Sequence, residues 1–272
     1  MGHVMPSSLV PPPADLSART PRDSVAVRLL SLLSAFSPGD EALTLTELAQ
    51  RTGLPQPTAL RLLRALTDWG ALDRTAAGSY QIGIRLFQIG MLAPAQRSLR
   101  EVALPYMQDL FQVTRENVLL GVHDSGSVLY VEKVKGQNSA SALTRLGGRL
   151  PMHVTAIGKV LLAFGPEEAR EAACRQPLRQ FTSATLKDGE ALREDLAKAR
   201  DRGYAVANQE LRPDRVAVAA PVLNYAGVPV AGLSVMGQAR NIDVSRVAPA
   251  VLTAALSLSR QLGNASSRPR RR

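Results

Sequence analysis

Apolar residues fall at helical spacing through the first third of the chain and in shorter, strand-like runs through much of the rest. Ala26, Leu29, Leu30 and Leu33 stand at i, i+3, i+4 and i+7, one face of a helix that Ser24 can cap and that "SPGDE" (Ser37–Glu41) ends. In "TLTELAQRTG", Thr44 with Glu47 three residues on is a capping box, and Gly53 stands where a left-handed C′ glycine belongs. That predicts a short second helix. A third begins almost at once in "GLPQPTALRLLRAL". First-turn N–H groups have no intrahelical acceptor, so Pro55 and Pro57 mark a helix start rather than a break. Ala59, Leu62, Leu63 and Leu66 form its apolar stripe, which leaves Gln56, Thr58, Arg61 and Arg64 toward solvent. "GALDRTAAGSYQIG" reads as two short strands about the "AAG" turn. Three helices with a tight turn between the second and third, followed by a hairpin, make a winged helix-turn-helix.

The stretch "IGIRLFQIGMLAPAQRSLREVALPYMQDLFQVT" predicts a linker helix, a break near Pro94, and a longer helix that buries Leu99, Val102, Ala103, Tyr106, Met107 and Leu110. Beyond it, "NVLLGVH" and "SVLYVEKV" flank the turn "DSG", and "RVAVAAPVL" and "VPVAGLSVMG" flank "YAG". Helices are expected in "TAIGKVLLAF" near Thr155, in "GEALREDLAKARDRG" and in the closing "DVSRVAPAVLTAALSLSRQLG". Consecutive hairpins with helices between and after them fit an antiparallel α+β domain.

Composition narrows this picture. At 272 residues and 45% hydrophobic content the chain can build two cores. Its single cysteine, Cys174, allows no internal disulfide and fits a reducing, cytoplasmic setting. The histidines His3, His123 and His153 lack metal-ligand spacing, and no apolar run approaches the roughly 18 residues of a membrane span. "MGHVMPSSLVPPPADL" reads as a disordered arm, not a signal peptide. The net charge of +10 suggests a polyanionic partner, but it is spread: +1 over residues 1–96, +5 over 97–264 and +4 in "ASSRPRRR". DNA binding at the N-terminal end therefore rests on the placement of a few arginines. Residues at the start of the second helix of a helix-turn-helix reach base edges in the major groove. Arg61 suits guanine; Gln56, Thr58 and Arg64 can contact bases or phosphates; and Arg74, with the hairpin turn, would lie against flanking backbone. An amphipathic helix with a merely solvated polar face is the alternative for this stretch.

The chain resembles the isocitrate lyase regulator (IclR) family of bacterial transcription factors from about Asp23 to Leu262. The resemblance rests on "GALDRTAAGSYQIG", "GRLPMHVTAIGKVLLA", "GYAVANQELRPDRVAVAAPV" and "AGVPVAGLSVMG", in that order. It implies a DNA-binding winged helix over 22–83, a linker helix over 84–96 and a GAF-like effector-binding domain over 97–263; composition adds a disordered arm over 1–21 and a basic disordered tail over 264–272. It also implies a homodimer or homotetramer that binds double-stranded operator DNA, more often as a repressor, and changes its hold on the operator when a small molecule binds. No cofactor, metal or membrane is implied. A winged helix used for protein contact, and an enzyme built on the effector domain, are the alternatives.

By the same resemblance the effector is lined by Ala156, Ile157, Ala207, Ala217, Ser234 and Met236, with backbone N–H groups from Thr155 to Gly158 available for an acidic group. Several positions depart from the family. Ala207 stands where an acidic residue is usual, Asp214 where glycine is, Ala217 where cysteine is, and Leu223 where an aromatic or histidine is. Pro57 replaces a small hydroxyl residue. Five of the six pocket positions are apolar, and burying a ligand's polar groups against them would cost about 1–3 kcal/mol each. The expected effector is therefore apolar or aromatic, such as an aromatic acid, rather than a small oxo-acid. His153 reads as a structural hydrogen-bonding residue. Glu210 reads as an ion-pair member or loop cap, with a pocket role open, and Cys174 as a side chain at least half buried and without redox work.

Overall fold

The computed structural model describes residues 24–37, 39–91, 94–136 and 144–266; the predicted arm and the end of the basic tail lie outside them. The chain divides into two compact units that part between Arg97 and Ser98.

The first unit holds α1 (Val25–Ser34), α2 (Leu45–Thr52), α3 (Gln56–Asp68), the strands β1 (Leu72–Arg74) and β2 (Tyr80–Ile82), and α4 (Ile84–Met91). Ser24 caps α1 by accepting from the Val27 N–H. The Thr44–Glu47 capping box is formed at α2, and Gly53 ends that helix with φ +68°. Pro55 is the N-cap of α3 and Pro57 its second residue, so neither removes a hydrogen bond the helix would have made. Leu48, Ala59, Leu62, Leu63, Leu72 and Tyr80 form the buried centre, and Leu43 exchanges backbone bonds of 2.7 and 2.8 Å with Tyr80, pinning the wing to the loop before α2.

The apolar face of α1 differs from the expected one. Leu32 is fully buried, with Leu29, Leu33 and Phe36 packed beside it, while Ala26 is exposed and Leu30 is 49% exposed. "AVRLLSLLSAF" carries two overlapping stripes at helical spacing, and only packing against the rest of the unit selects between them.

The second unit is built on a six-stranded antiparallel sheet in the order β5-β4-β3-β8-β7-β6. The strands are β3 (Asn117–Asp124), β4 (Ser127–Val134), β5 (Arg149–Pro151), β6 (Ala205–Asn208), β7 (Arg215–Leu223) and β8 (Pro229–Gln238). Side chains alternate across this sheet, as the pleat requires. Val118, Leu120, Val216, Val218, Leu233 and Val235 pack with α5 (Pro94–Thr114) and α9 (Val244–Ser266). Leu119, Ala207, Ala219 and Met236 belong to the other core, with α6 (Ala156–Phe164) and α8 (Gly189–Arg202).

The hairpins and the predicted helices are present. α7 (Glu167–Arg175) and β5 are additional, and α9 runs to Ser266, three residues into the predicted tail. Cys174 lies buried in α7, where desolvation raises its thiol pKa. α6 seats closely on the sheet because Gly121 and Gly232 face each other across β3 and β8. A Cβ on Gly232 would come within 2.8 Å of Ile157 Cγ2.

Candidate functional site

Two places carry unspent polar chemistry, one in each unit. On the first, Gln56, Arg61, Arg64 and Arg74 are exposed and Thr58 is half-buried. The guanidinium groups of Arg61 and Arg64 have no hydrogen-bond or ion-pair partner among the described residues. Gln56 Nε2 donates a long bond of 3.4 Å to Thr46 Oγ1 on α2. Arg74 is folded over the wing: its Nε donates to Gly78 O at 3.3 Å, and its guanidinium carbon is 5.9 Å from the Tyr80 ring centre. The start of α3 has no side-chain cap, so the N–H groups of Gln56 and Thr58 are open to an acceptor such as phosphate. Free cations and free first-turn amides thus lie on one exposed helix.

The second place is a cavity between α6 and the face of the sheet beneath it. Strand register builds its floor. Ala207 pairs with Ala217 and Ala217 with Met236, giving a row across β6, β7 and β8; Ser234 stands opposite Leu119 on β3. Thr155, Ala156, Ile157, Ala207, Ala217, Ser234 and Met236 all line the cavity. Of the eight residues expected there, Gly158 alone does not. A Cβ at that position would come within 2.2 Å of Met152 O, so Gly158 serves the close approach of α6 to the turn before it. Its N–H donates to Thr155 Oγ1 at 3.1 Å. The first-turn amides left for an anion are those of Ala156 and Ile157. Ser234 is buried, and its hydroxyl makes only a 3.4 Å contact to Val235 O.

Four polar residues that the sequence had not placed in the cavity, Tyr130, Thr144, Arg212 and Arg215, also line it, and so does Glu210, for which a pocket role was open. Burial pushes the Tyr130 phenol above its ordinary pKa, so it stays a neutral O–H. The Arg215 side chain is only 10% exposed. Asp214 Oδ2 lies 3.2 Å from its Nε, yet neither Nε nor Nη1 has a hydrogen-bond acceptor. Its charge, after desolvation and Lys135, helps lower the pKa of Lys133, whose Nζ donates to Thr144 on the cavity wall.

Glu210 sits in a different setting. Its Oε1 accepts from Lys159 Nζ at 2.6 Å and from the Asn208 N–H at 3.2 Å, so both the ion pair and the loop cap exist. Lys159 is completely buried and also approaches Asp195 Oδ2 at 2.8 Å. Desolvation raises the Glu210 pKa, and the Lys159 charge works against that rise. Lys159 went unread in the sequence because "TAIGKVLLAF" gives no sign that its one cation turns inward.

Outside the cavity, His153 Nε2 donates to Arg179 O at 3.0 Å, the structural role expected of it, and burial lowers its pKa. Among the described residues no group of three His, Cys, Asp or Glu side chains could hold a metal, and no helix is long and apolar enough to cross a membrane.

Known proteins match both units of the chain. Residues 25–76 match the IclR helix-turn-helix domain, and residues 92–262 match the bacterial transcriptional regulator IclR C-terminal domain. The HTH-type transcriptional regulator KipR of Bacillus subtilis is 31% identical over 89% of this chain and 98% of its own length. XynR of Escherichia coli, also an HTH-type transcriptional regulator, is 33% identical over 87% of this chain and 96% of its own. A solved IclR homolog complexed with 4-hydroxybenzoate, from Microbacterium hydrocarbonoxydans, has a TM-score of 0.83 at 32% identity, covering 88% of this chain and 99% of that one. With both domains matched in order and relatives matched along nearly their full length, the chain belongs to the IclR family of DNA-binding transcriptional regulators.

Proposed function

We propose that this regulator reads its operator with α3 and is controlled by a small aromatic acid bound in the cavity beneath α6. The observation that carries the effector class is Arg215: a guanidinium nine-tenths buried, lining a largely apolar cavity, with two of its nitrogens lacking a hydrogen-bond acceptor. A buried unpaired donor is costly. A carboxylate satisfies it and adds a charge-assisted bond. The apolar walls, Leu119, Ile157, Ala207, Ala217 and Met236 among them, suit an aromatic body. The structural relative at 32% identity is complexed with a ligand of this class, 4-hydroxybenzoate.

At the DNA, Arg61 is the base-reading side chain, Gln56 and Thr58 anchor the helix start on phosphate, and Arg64 and Arg74 hold the flanking backbone. The regulator acts in the cytoplasm as a repressor and as a homodimer or a homotetramer, a reading that repressors among its relatives support. Val25 and Leu30 on α1 and Ile84 and Phe87 on α4 supply exposed apolar side chains for subunit contact, each at least 49% exposed. The effector shifts operator affinity by the ratio of its affinities for the DNA-competent and DNA-incompetent states.

Fluorescence anisotropy with DNA from upstream of the chain's own gene, with and without benzoate or hydroxybenzoates, tests both halves. Salt-sensitive, sequence-specific binding that an aromatic acid alters at least several-fold is the expected result. Tight binding of small oxo-acids alone sinks the aromatic assignment and leaves the DNA reading standing.

A further inference from the structure

Glu210 is held with more apparatus than an ion pair needs. Its backbone carbonyl accepts from Thr185 Oγ1 at 2.7 Å and from Thr182 Oγ1 at 3.3 Å. The preceding Gln209 adopts a left-handed φ of +59°, which turns the chain there. Lys159 and the Asn208 N–H both bind Oε1. The result is a carboxylate, its side chain 7% exposed, fixed in the wall of the cavity with Oε2 buried and unpaired. Arg215 lines the same cavity with unpaired N–H donors. Two residues of the cavity lining therefore keep buried polar atoms without a hydrogen-bond partner, donors on Arg215 and an acceptor on Glu210. A plain carboxylic acid with an apolar body satisfies only the donors.

Resting on the assignment of this cavity as the effector site, we propose that Glu210 is a specificity residue whose Oε2 accepts a hydrogen bond from a donor on the effector. The effector is then an aromatic acid with a second, donating substituent, a hydroxyl or an amine, while Arg215 takes its carboxylate. Lys159 and Asp195 are positioning residues: the lysine occupies Oε1 and so leaves Oε2 for the ligand. An acid of the same shape in which the donor is methylated presents an acceptor to Oε2, which is left without its bond.

Isothermal titration calorimetry on the full chain with benzoate, 3- and 4-hydroxybenzoate and the matching methoxybenzoates tests this. The better hydroxy isomer is expected to bind about tenfold or more tightly than benzoate and than its own methoxy counterpart. In Glu210→Gln, Lys159 still demands an oxygen, so the amide oxygen takes the Oε1 place and the NH2 faces the cavity. The hydroxy preference, taken relative to benzoate in the same variant, should vanish or reverse toward the methoxy acid. Should that variant fail to fold, the double variant Lys159→Met/Glu210→Leu removes the paired charges together and should also lose the preference. Equal binding of the hydroxy and methoxy acids by the unaltered protein overturns this inference alone. So does a hydroxy preference that survives in the Glu210 variants, which would pass the donor to another group such as Tyr130. Failure of all five acids to bind overturns the aromatic-acid reading and this inference with it.

Discussion

The two candidate sites are opposites in how they keep polar groups available. On α3 the arginines are free because they stand in water, where an unpaired guanidinium costs nothing and a phosphate or base edge displaces only solvent. In the cavity lining, Arg215 and Glu210 keep particular atoms unsatisfied although buried, and that is tolerable only where a ligand or ordered water completes them. An exposed site can be built from one amphipathic helix. A buried one needs several strands in register, a helix N-terminus and a counter-ion network, so altering it should disturb folding as well as binding.

The sharpest way to break that contrast is Lys159→Met. Removing the buried cation leaves Glu210 and Asp195 facing each other without it, and a loss of about 3–5 kcal/mol in stability is expected. Urea denaturation followed by probes in each unit should place that loss in the second one. An effect below about 1 kcal/mol would mean that the network is solvated after all.

Arg215→Met should act almost entirely on the effector. Loss of a charge-assisted bond in a buried setting predicts a weakening of about 1.5–3 kcal/mol for an aromatic acid in calorimetry, with operator affinity in its absence unchanged. On the exposed side, Arg61→Ala should cost about 1–3 kcal/mol on specific operator DNA and much less on random DNA, with stability unaltered. Uniform loss on both DNAs would reassign Arg61 to phosphate.

The smallest effect belongs to Asp40, paired with Arg51 on α2. The Arg51 hydrogen bond holds its carboxyl below the ordinary 3.8, against a smaller opposing effect of desolvation. The folded pKa is the lower one, so the stabilisation is present above that ordinary value and is lost as pH falls through the depressed one. Asp40→Asn should therefore cost under about 1 kcal/mol at neutral pH. The difference from the unaltered protein should fade in denaturation curves taken below about pH 4.

Much of this was legible in the residues, and what was not has identifiable causes. Caps are local chemistry, so Ser24, the Thr44–Glu47 box and Gly53 read true. The stripe on α3 is unambiguous because polar residues flank it on both sides, whereas α1 offers two overlapping stripes, and of the expected one only Leu29 and Leu33 pack on the core. α7, "EEAREAACR", is short and mostly polar, with only Cys174 buried, so its periodicity is too weak to announce a helix. β5 has three residues, too few for alternation to count. In the cavity, family resemblance supplied the strand positions, and register brought them together. Gly158 is outside the lining, and there the glycine serves the close approach of α6 to Met152 O.

By itself the sequence determined the helix boundaries of the DNA-binding unit, the hairpins of the second unit and the family, since caps, turns and hydrophobic period act over a few residues. Tertiary structure alone decided which face of α1 is buried, that Lys159 turns inward to Glu210 and Asp195, and that Arg215 shares a cavity with Ser234 and Met236. Those outcomes depend on residues far apart in the chain being brought together in space. The free energy of burying a charge is set by the company it meets there, not by its neighbours in the chain.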